Sequence, residues 1–362
     1  MKKFLAMLTA IFFLMSAAGC GENSGGSHSD KNLIGVTLPD QTVRRWIKDG
    51  DNIKKKLEAK GYKVYLDYAE NNIDMQISQI DKMIEHGARC IVVSAVDSTK
   101  LLSVLDKAKK NNIPVIAYDR LLMDTDAVSY YATFDNKGVG ILMAQYVEEK
   151  LGLAEGKGPY NIEFFAGSHD DNNAHFVNSG VFEVLQPYID KGQLIVQSGQ
   201  TDFDLICTLR WSQEVAQKRM THILEDYYKD GKKVDAVIVP NDRIGYGIAN
   251  ALENAGYKVG ENWPLITGQD AELQAARYIL AGRQAMTVFK DTRVLSEKCV
   301  EMIEAVLNGT EPEINDTTSC DNHKFVVPAY LCTPVAVDKS NVRDILVGSG
   351  YYTDEELDSR AD

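Results

Sequence analysis

Residues 113–120 read IPVIAYDR, a short apolar run that is typical of a strand buried on both faces. Asp119 and Arg120 stand where the run stops, at the carboxyl end of the predicted strand. In an open α/β sheet, ligands bind in the crevice outside these ends. An acid beside a base can accept hydrogen bonds from, and donate them to, one small polar ligand. We therefore expect the chain to be organised around a binding cleft.

The same arrangement recurs at four other predicted strand ends. Each apolar run there is followed at once by acids, amides or a lysine, in the segments SHDDNNA (168–174), PND (240–242), GQD (268–270) and VFKD (288–291). Because the carboxyl ends of parallel strands share one edge of a sheet, these segments are expected to converge. The recurrence is more informative than any single segment.

Predicted strands and helices alternate through the rest of the chain. A strand at residues 33–38 is followed by a helix at residues 42–60, and a second βα series begins after residues 135–138. Such repeats favour mostly parallel sheets with right-handed crossovers. About ten βα units exceed one sheet of ordinary size, so we predict an α/β protein with two doubly wound lobes.

The composition narrows the class of partner. The 362 residues are 44% hydrophobic and 25% charged, which is enough apolar material for two cores. The net charge of −13 argues against nucleic acid, whose phosphates require basic surfaces. It also argues against docking on anionic lipid through charge.

The first twenty residues are interpreted as a targeting segment. Lys2 and Lys3 precede an apolar run at residues 4–18 that is too short for a stable membrane span. The run ends in AAGC (17–20), which resembles the bacterial lipoprotein cleavage box, although Ala17 stands where Leu is usual. In that box the cysteine, here Cys20, becomes lipid-modified. A plain secretory signal is the alternative, but the Gly/Ser-rich residues 21–31 favour a flexible tether after a lipid anchor.

The other cysteines do not predict a disulfide framework. Five are dispersed through a large domain, and Cys90 and Cys299 fall within predicted elements, as buried thiols do. Pairing of Cys320 with Cys332 stays open. Neither CxxC nor a histidine-rich spacing suggests a metal, and we expect no metal or cofactor.

The polar residues at predicted turns suit a sugar. Sugar hydroxyls are donors and acceptors that need carboxylates, amides and basic groups, and the apolar sugar face needs an aromatic plane. The chain offers these types at Arg45, Trp46, Asp119, Arg120, Asp171, Asn173, Arg210, Trp211, Asn241, Asp242, Asp270 and Lys290.

Most of these residues also have a purely structural interpretation. Trp46 lies on the apolar face of its predicted helix and Trp211 opens another, so both can be core residues. Asp119 and Arg120 can simply pair with each other. Five others can serve as helix caps, turn residues or a solvated strand end, namely Asp171, Asn173, Asn241, Asp242 and Lys290.

Enzyme signatures are absent from the sequence. It contains no GxSxG elbow, GxxxxGKS/T phosphate loop, HExxH motif or Gly-rich dinucleotide turn after the first strand. Of six scattered histidines, only His169 falls in a candidate loop. Paired carboxylates for glycoside hydrolysis depend on their separation in space. The basic neighbours of the acids, however, favour ionised carboxylates, whereas a general acid needs a raised pKa.

Seven segments together resemble the sugar-binding proteins of ABC transporters. The chain is most similar to the xylose-binding and multiple-sugar-binding (ChvE-like) branch of the ribose-binding-like class. The resemblance covers nearly the whole chain after the leader, and it rests on RRWIKDGDNI (44–53), QISQIDKMI (76–84), IAYDRLL (116–122), YYATFDN (130–136), GSHDDNNAHF (167–176), GQDAEL (268–273) and TVFKDTR (287–293).

The resemblance implies the periplasmic-binding-protein type I fold, two lobes joined by a three-strand hinge. Crossings are expected near Asp135, near residues 290–291 and around residues 323–325. The first lobe then comprises residues 32–135 and 291–322, and the second comprises residues 136–290 and 323–362, with the last helix free to return to the first lobe.

The resemblance also implies roles for individual residues. Trp46 and Trp211 stack on the two sugar faces, and Ala166 and His169 depart from the Gly and Pro that relatives often have. Nothing matches the calcium loop of galactose-binding relatives. Hydrogen bonds to the sugar are expected from Arg45, Asp119, Arg120, Asp171, Asn173, Asn241, Asp270 and Lys290, with Arg210 as a neighbour.

These expectations combine into one hypothesis. The protein is a monomeric, lipid-anchored, extracytoplasmic binding protein that captures an aldopyranose such as xylose, glucose, galactose or arabinose and passes it to an ABC permease, without catalysis. The alternatives are a sugar-sensing module for a chemoreceptor or kinase and a secreted sugar-converting enzyme.

Overall fold

The computed structural model describes residues 32–359. The predicted leader with Cys20 and the tether at residues 21–31 lie outside the described residues. Over this range no helix has the length and apolar character needed to cross a membrane.

The described residues form twelve strands in two main sheets. In chain order they are β1 (Leu33–Leu38), β2 (Lys63–Tyr68), β3 (Cys90–Val93), β4 (Val115–Tyr118), β5 (Val128–Phe134), β6 (Tyr160–Phe164), β7 (Leu194–Ile195), β8 (Ala236–Ile238), β9 (Leu265–Ile266), β10 (Met286–Phe289), β11 (Ala329–Cys332) and β12 (Val335–Asp338).

Eleven α-helices accompany the strands over residues 32–359. They are α1 (Arg44–Ala59), α2 (Ile73–Glu85), α3 (Leu102–Lys110), α4 (Asn136–Leu151), α5 (Asn172–Asp190), α6 (Phe203–Ile206), α7 (Gln213–Tyr227), α8 (Asp242–Asn254), α9 (Leu273–Ala281), α10 (Thr292–Asn308) and α11 (Asp354–Asp358).

The first lobe is a six-stranded sheet in the order β11-β5-β4-β3-β1-β2, paired in parallel throughout. Strands β3 and β4 are buried at every residue, as their unbroken apolar sequences CIVV and VIAY require. Helices α1 and α10 contribute Ile53 and Leu295 to the core on one face, and α2 and α3 contribute Met83 and Leu105 to the other.

The second lobe repeats this plan. Strands β7-β6-β8-β9 are parallel, β10 continues the sheet through a bridge between Gln269 and Val288, and β12 pairs antiparallel with β10. Helices α4 and α5 cover one face, while α7 and α8 cover the other. The predicted α/β fold with two doubly wound, mostly parallel lobes is therefore confirmed.

Close packing of α4 against α5 depends on two glycines. A Cβ atom on Gly140 would lie 2.0 Å from the carbonyl oxygen of Val177, and one on Gly180 would lie 2.1 Å from that of Lys137. These distances are far below van der Waals contact. The two helices can therefore approach this closely only because neither residue has a side chain.

The chain crosses between the lobes three times. It passes from β5 into α4 at Asp135, and from β10 into α10 at residues 290–291. The third crossing differs from the expectation of residues 323–325. Strand β11 pairs with β5 at the open edge of the first sheet, so residues 323–332 belong to the first lobe and the crossing falls between Cys332 and Val335.

The C-terminal segment packs mainly on the second lobe. Helix α11 lies against α9, where Arg277 donates to the carbonyl of Glu356 at 3.0 Å. The segment also touches the first lobe, because the Lys48 ammonium lies 4.4 Å from the ring centre of Tyr351. The last helix thus stays with the second lobe, while Tyr351 reaches across the hinge.

Candidate ligand-binding cleft

The two sheets direct the carboxyl ends of their strands toward one cavity between the lobes, with a volume of about 130 Å³. All eleven residues expected to contact the sugar line it: Arg45, Trp46, Asp119, Arg120, Asp171, Asn173, Arg210, Trp211, Asn241, Asp270 and Lys290. Strand topology alone accounts for this convergence, because a ligand crevice forms where parallel strands end. Asp242, which the sequence also offers at a turn, does not line the cavity; it is buried and accepts hydrogen bonds from Gln284 and Thr287 at 2.8 Å.

The turn after β4 holds Asp119 in an unusual backbone conformation. Its φ is +61°, in the left-handed region that is costly for a residue with a side chain. Two neighbouring hydroxyls stabilise the turn, since Tyr131 donates to the Asp119 carbonyl at 2.5 Å and Thr133 donates to it at 2.9 Å. The turn thereby presents the carboxylate of Asp119 and the guanidinium of Arg120 to the cavity.

Helix caps bring the second lobe's acid and amide groups to the same cavity. Asp171 caps α5 and accepts a hydrogen bond from the Asn173 N–H at 3.0 Å. Asn241 caps α8 and accepts from the Ile244 N–H at 2.9 Å. Asp171 and Asn241 therefore cap their helices and also line the cavity.

Trp211 lies in a short 3₁₀ turn, Leu209–Trp211, with φ of +53° at Arg210 and +54° at Trp211. The Arg210 N–H donates to the Ser168 hydroxyl at 2.8 Å. The indole covers Gly167 so closely that a Cβ atom there would lie 2.2 Å from the ring. Its Nε1 is buried and has no hydrogen-bond partner among residues 32–359.

Trp46 is both a core residue and a lining residue. Only 5% of it is exposed, and it packs with the apolar side chains beneath α1. The guanidinium carbons of Arg45 and Arg120 lie 4.9 Å and 5.5 Å from its ring centre. The sequence left open whether Trp46 is a core residue or a site residue, and in the structure it is both.

Arg45 lies among three carboxylates. It forms an ion pair with Asp119, and its guanidinium lies 3.4 Å from Asp49 and 3.6 Å from Asp270. Although burial by itself lowers the pKa of Arg45, these carboxylates raise it well above its usual value. Burial likewise opposes the shift at Asp119, but Arg45 and Lys290 lower the pKa of its carboxyl.

Arg120 pairs across the cleft and not with its neighbour Asp119. Its Nε lies 3.1 Å from the Asp171 carboxylate, and its Nη1 donates to the carbonyl of Ala95 at 2.9 Å. Lys290 similarly reaches Asp270 at 3.1 Å. Burial raises the pKa of Asp171 even though Arg120 opposes this shift, so the expected lowering holds for Asp119 and not for Asp171.

The lobes touch each other over the cavity. Asn173 of the second lobe donates to the Asp119 carbonyl of the first lobe at 2.9 Å. The Ser98 N–H of the first lobe donates to the carbonyl of Asp170 at 3.3 Å. Together with the ion pair between Arg120 and Asp171, these contacts define a closed arrangement of the two lobes.

Sequence reasoning missed part of the lining. The additional residues lie mostly at strand ends or directly beside predicted site residues, so the strand-end rule would have found several of them if applied to β1 and β3 as well. They are Asp40, Thr42, Val43, Asn71, Ile73, Val96, Asp97, Asp170, Arg243 and Gln269.

The arrangement suits a neutral ligand with many hydroxyl groups. The cations Arg45, Arg120 and Lys290 each already face a carboxylate of the protein, so a charged ligand would leave one of these buried groups unpaired. Paired acids and bases still offer free lone pairs and N–H groups. Two parallel-sheet lobes that close over such a cleft define a two-lobed solute-binding protein.

The chain belongs to the periplasmic binding protein family. The family model described as a periplasmic binding protein domain matches residues 34–311. Membership implies an extracytoplasmic location and an ABC transporter as partner. It also confirms the fold that the sequence motifs implied.

The relatives agree with the branch predicted from the motifs. The chain is 49% identical to the multiple sugar-binding periplasmic protein SbpA of Azospirillum brasilense over 91% of this chain and 92% of that protein. It is 47% identical to the multiple sugar-binding periplasmic receptor ChvE of Rhizobium radiobacter, over 91% and 93%. Both relatives are binding proteins, in agreement with the prediction that the cleft is not catalytic.

The fold of this chain is also similar to that of a solved solute-binding protein. An ABC transporter solute-binding protein from Clostridium phytofermentans, with β-D-glucose bound, superposes with a TM-score of 0.86 at 47% sequence identity. The match covers 90% of this chain and 99% of that one.

Proposed function

We propose that the protein captures a monosaccharide in the interlobe cleft and delivers it to the permease of an ABC importer. The observation that carries the proposal is the cleft itself, in which paired acids and bases and two tryptophans line one cavity between the lobes. Relatives that bind sugars, one of them with glucose in place, support the same ligand class.

The lining divides into groups that suit different parts of a sugar ring. Trp211, with its free Nε1 donor, and Trp46 provide apolar planes for the two ring faces. Asp119, Asp171 and Asp270 accept hydrogen bonds from hydroxyls, and the basic and amide groups donate them. The donors are Arg45, Arg120, Asn173, Arg210, Asn241 and Lys290.

Closure of the lobes is the event that signals an occupied cleft. A ligand that contacts both lobes binds best when they are closed, and therefore shifts the population toward the closed state. The interlobe contacts of Arg120 and Asn173 lie beside the ligand position, so ligand contacts and lobe contacts form together. The closed, monomeric protein then docks on the permease, while lipid at Cys20 holds it at the outer face of the membrane.

Isothermal titration of the mature protein without Cys20 tests this proposal. The panel comprises xylose, arabinose, glucose, galactose, ribose and fructose. Binding of one or more aldoses at micromolar or lower concentration, with no sugar consumed, is the expected result. Folded, ligand-free protein that binds no member of the panel would refute the monosaccharide assignment, and formation of a product would refute the absence of catalysis.

A further inference from the structure

Asp49 is a fully buried carboxylate that touches the cleft only through another residue. It lies one turn after Arg45 on α1, and it is not among the residues that line the cavity. Its Oδ2 is 3.4 Å from the Nε of Arg45, and its Oδ1 accepts a hydrogen bond from the Tyr118 hydroxyl at 2.7 Å. An acid without solvent or ligand contact needs an explanation, because burying it is costly.

The contacts of Arg45 suggest what Asp49 does. Asp119 and Asp270, which line the cavity, face other atoms of the guanidinium, Nη2 and Nη1. Asp49 faces the remaining nitrogen, Nε, which has no hydrogen-bond partner of good geometry within residues 32–359. Tyr118 immediately precedes Asp119 at the end of β4. This strand end therefore places Asp119 beside the cavity and, through the Tyr118 hydroxyl, holds Asp49 away from it.

We propose that Asp49 is a positioning residue whose carboxylate orients the Arg45 guanidinium toward the cleft, and that protonation of this carboxylate weakens ligand binding. The effect on binding rests on the proposed function, whereas the effect on Arg45 does not. The proposal assigns no ligand contact to Asp49.

The surroundings place this protonation near neutral pH. Burial raises the pKa of Asp49 to about 7, although Arg45 and the Tyr118 hydroxyl oppose the shift. Titratable or charged groups face Asp49 from each element packed around it, and they are Arg45 and Lys48 on α1, Tyr68 on β2, Tyr118 on β4, Asp119 after it, Lys290 after β10, Cys299 on α10 and Tyr351 in the C-terminal segment.

The direction of the pH effect follows from the charge. Above this pKa Asp49 is ionised and Arg45 keeps three carboxylate neighbours. Below it, Asp49 is neutral and the attraction at Nε is lost. If the bound state requires the ionised form, affinity falls as the pH falls through about 7. Burial also raises the pKa of Asp171, so variants are needed to isolate the contribution of Asp49.

Two variants and a control separate the possibilities. Asp49→Asn is a neutral isostere of protonated Asp49, and Tyr118→Phe removes only the hydroxyl that stabilises the ionised carboxylate. Asp51→Asn neutralises an exposed acid on the same helix and serves as the matched control. Thermal melts first establish that each variant folds.

The first readout is the Arg45 Nε–H resonance in ¹⁵N-labelled protein without ligand, assigned by its loss in Arg45→Lys. At pH 8 we expect slow exchange of this N–H in the wild type and in Asp51→Asn, and faster exchange in Asp49→Asn. Slow exchange that is unaltered in Asp49→Asn would overturn the positioning role.

The second readout is titration with D-glucose at pH 6 and pH 8. The wild type and Asp51→Asn should bind about tenfold more weakly at pH 6, as for the loss of one ion-pair attraction at Arg45, while Asp49→Asn binds weakly and equally at both. Tyr118→Phe should move the midpoint of the pH profile upward. An Asp49→Asn profile like that of the wild type would overturn the proposal while leaving sugar binding intact. If the wild type bound no sugar, the proposed function would fail, and the Nε–H readout would still decide the role of Asp49.

Discussion

The Nε of Arg120 lies 3.1 Å from the carboxylate of Asp171, and this ion pair joins the first lobe to the second inside the cleft. Both side chains are almost completely shielded from solvent, which makes the pair far less sensitive to screening than a surface ion pair. The same two residues line the cavity. The contact that joins the lobes is therefore also part of the ligand site.

Replacement of Arg120 by Ala should abolish sugar binding without unfolding the protein. The variant loses the ion pair with Asp171 and the hydrogen bond to the Ala95 carbonyl. Because burial already raises the pKa of Asp171, the orphaned acid can take up a proton and the fold survives. Titration calorimetry and a thermal melt measure the two effects. Arg277→Ala, on α9 away from the cleft, is the control, and unchanged affinity in Arg120→Ala would remove Arg120 from the site.

Replacement of Gly167 by Ala should weaken ligand binding by displacing Trp211. The new methyl group would lie 2.2 Å from the indole ring, so the ring must move away from the cleft wall. We expect a changed tryptophan emission spectrum and affinity lower by at least about tenfold, the loss of one well-placed stacking contact. Gly245→Ala is the control, because a Cβ atom there finds its first neighbour at 3.7 Å. An unchanged spectrum with full affinity in Gly167→Ala would contradict this role for the indole.

Replacement of Gly180 by Ala should lower the free energy of unfolding by about 1–3 kcal/mol, the usual cost of overpacking. The added Cβ would lie 2.1 Å from the Lys137 carbonyl and would force α4 and α5 apart. Urea unfolding followed by circular dichroism measures the effect. Ser179→Ala, an exposed change one residue earlier on α5, should have little effect. Equal stability of the two variants would show that the helices can separate at little cost.

The five cysteines of the described chain should all titrate as thiols after unfolding under non-reducing conditions, since each is free in the structure. Of these five, only Cys207 is partly exposed in the folded protein, and burial raises its pKa too, so at pH 8 it should react slowly with a thiol reagent and before the other four. Cys207→Ser should remove this early reaction. A count of three thiols in the unfolded protein would instead indicate the Cys320–Cys332 pairing that the sequence left open.

Much of the fold could be predicted because several of its strands, β3, β4, β8 and β10, are short and buried at every residue. The apolar run before Asp119 marks β4 unambiguously, and alternation with amphipathic helices then favours parallel order. Strand β12 was missed because its four residues, VAVD, follow Pro334 with no longer pattern to support them. The third crossing was misplaced for a related reason, since only sheet pairing reveals that β11 fills the edge beside β5.

The site was predictable where it depends on strand ends and unpredictable where it depends on loop geometry. Asp119 and Lys290 follow apolar runs, so topology alone brings them to the cavity. The approach of the Trp211 indole to Gly167 depends on two residues with positive φ, which no residue pattern indicates. Asp49 could not be distinguished from an exposed helical acid, because its burial depends on how α1 packs.

The position of β11 has a consequence for how the chain folds as it is synthesised or exported. This strand completes the edge of the first sheet, yet it is formed by residues 329–332, and β12 of the second sheet follows at once. Neither sheet can be finished until this segment has emerged, whereas contiguous domains fold one after another from the amino end. A nascent chain of this topology therefore keeps both sheets incomplete until β11 and β12 arrive.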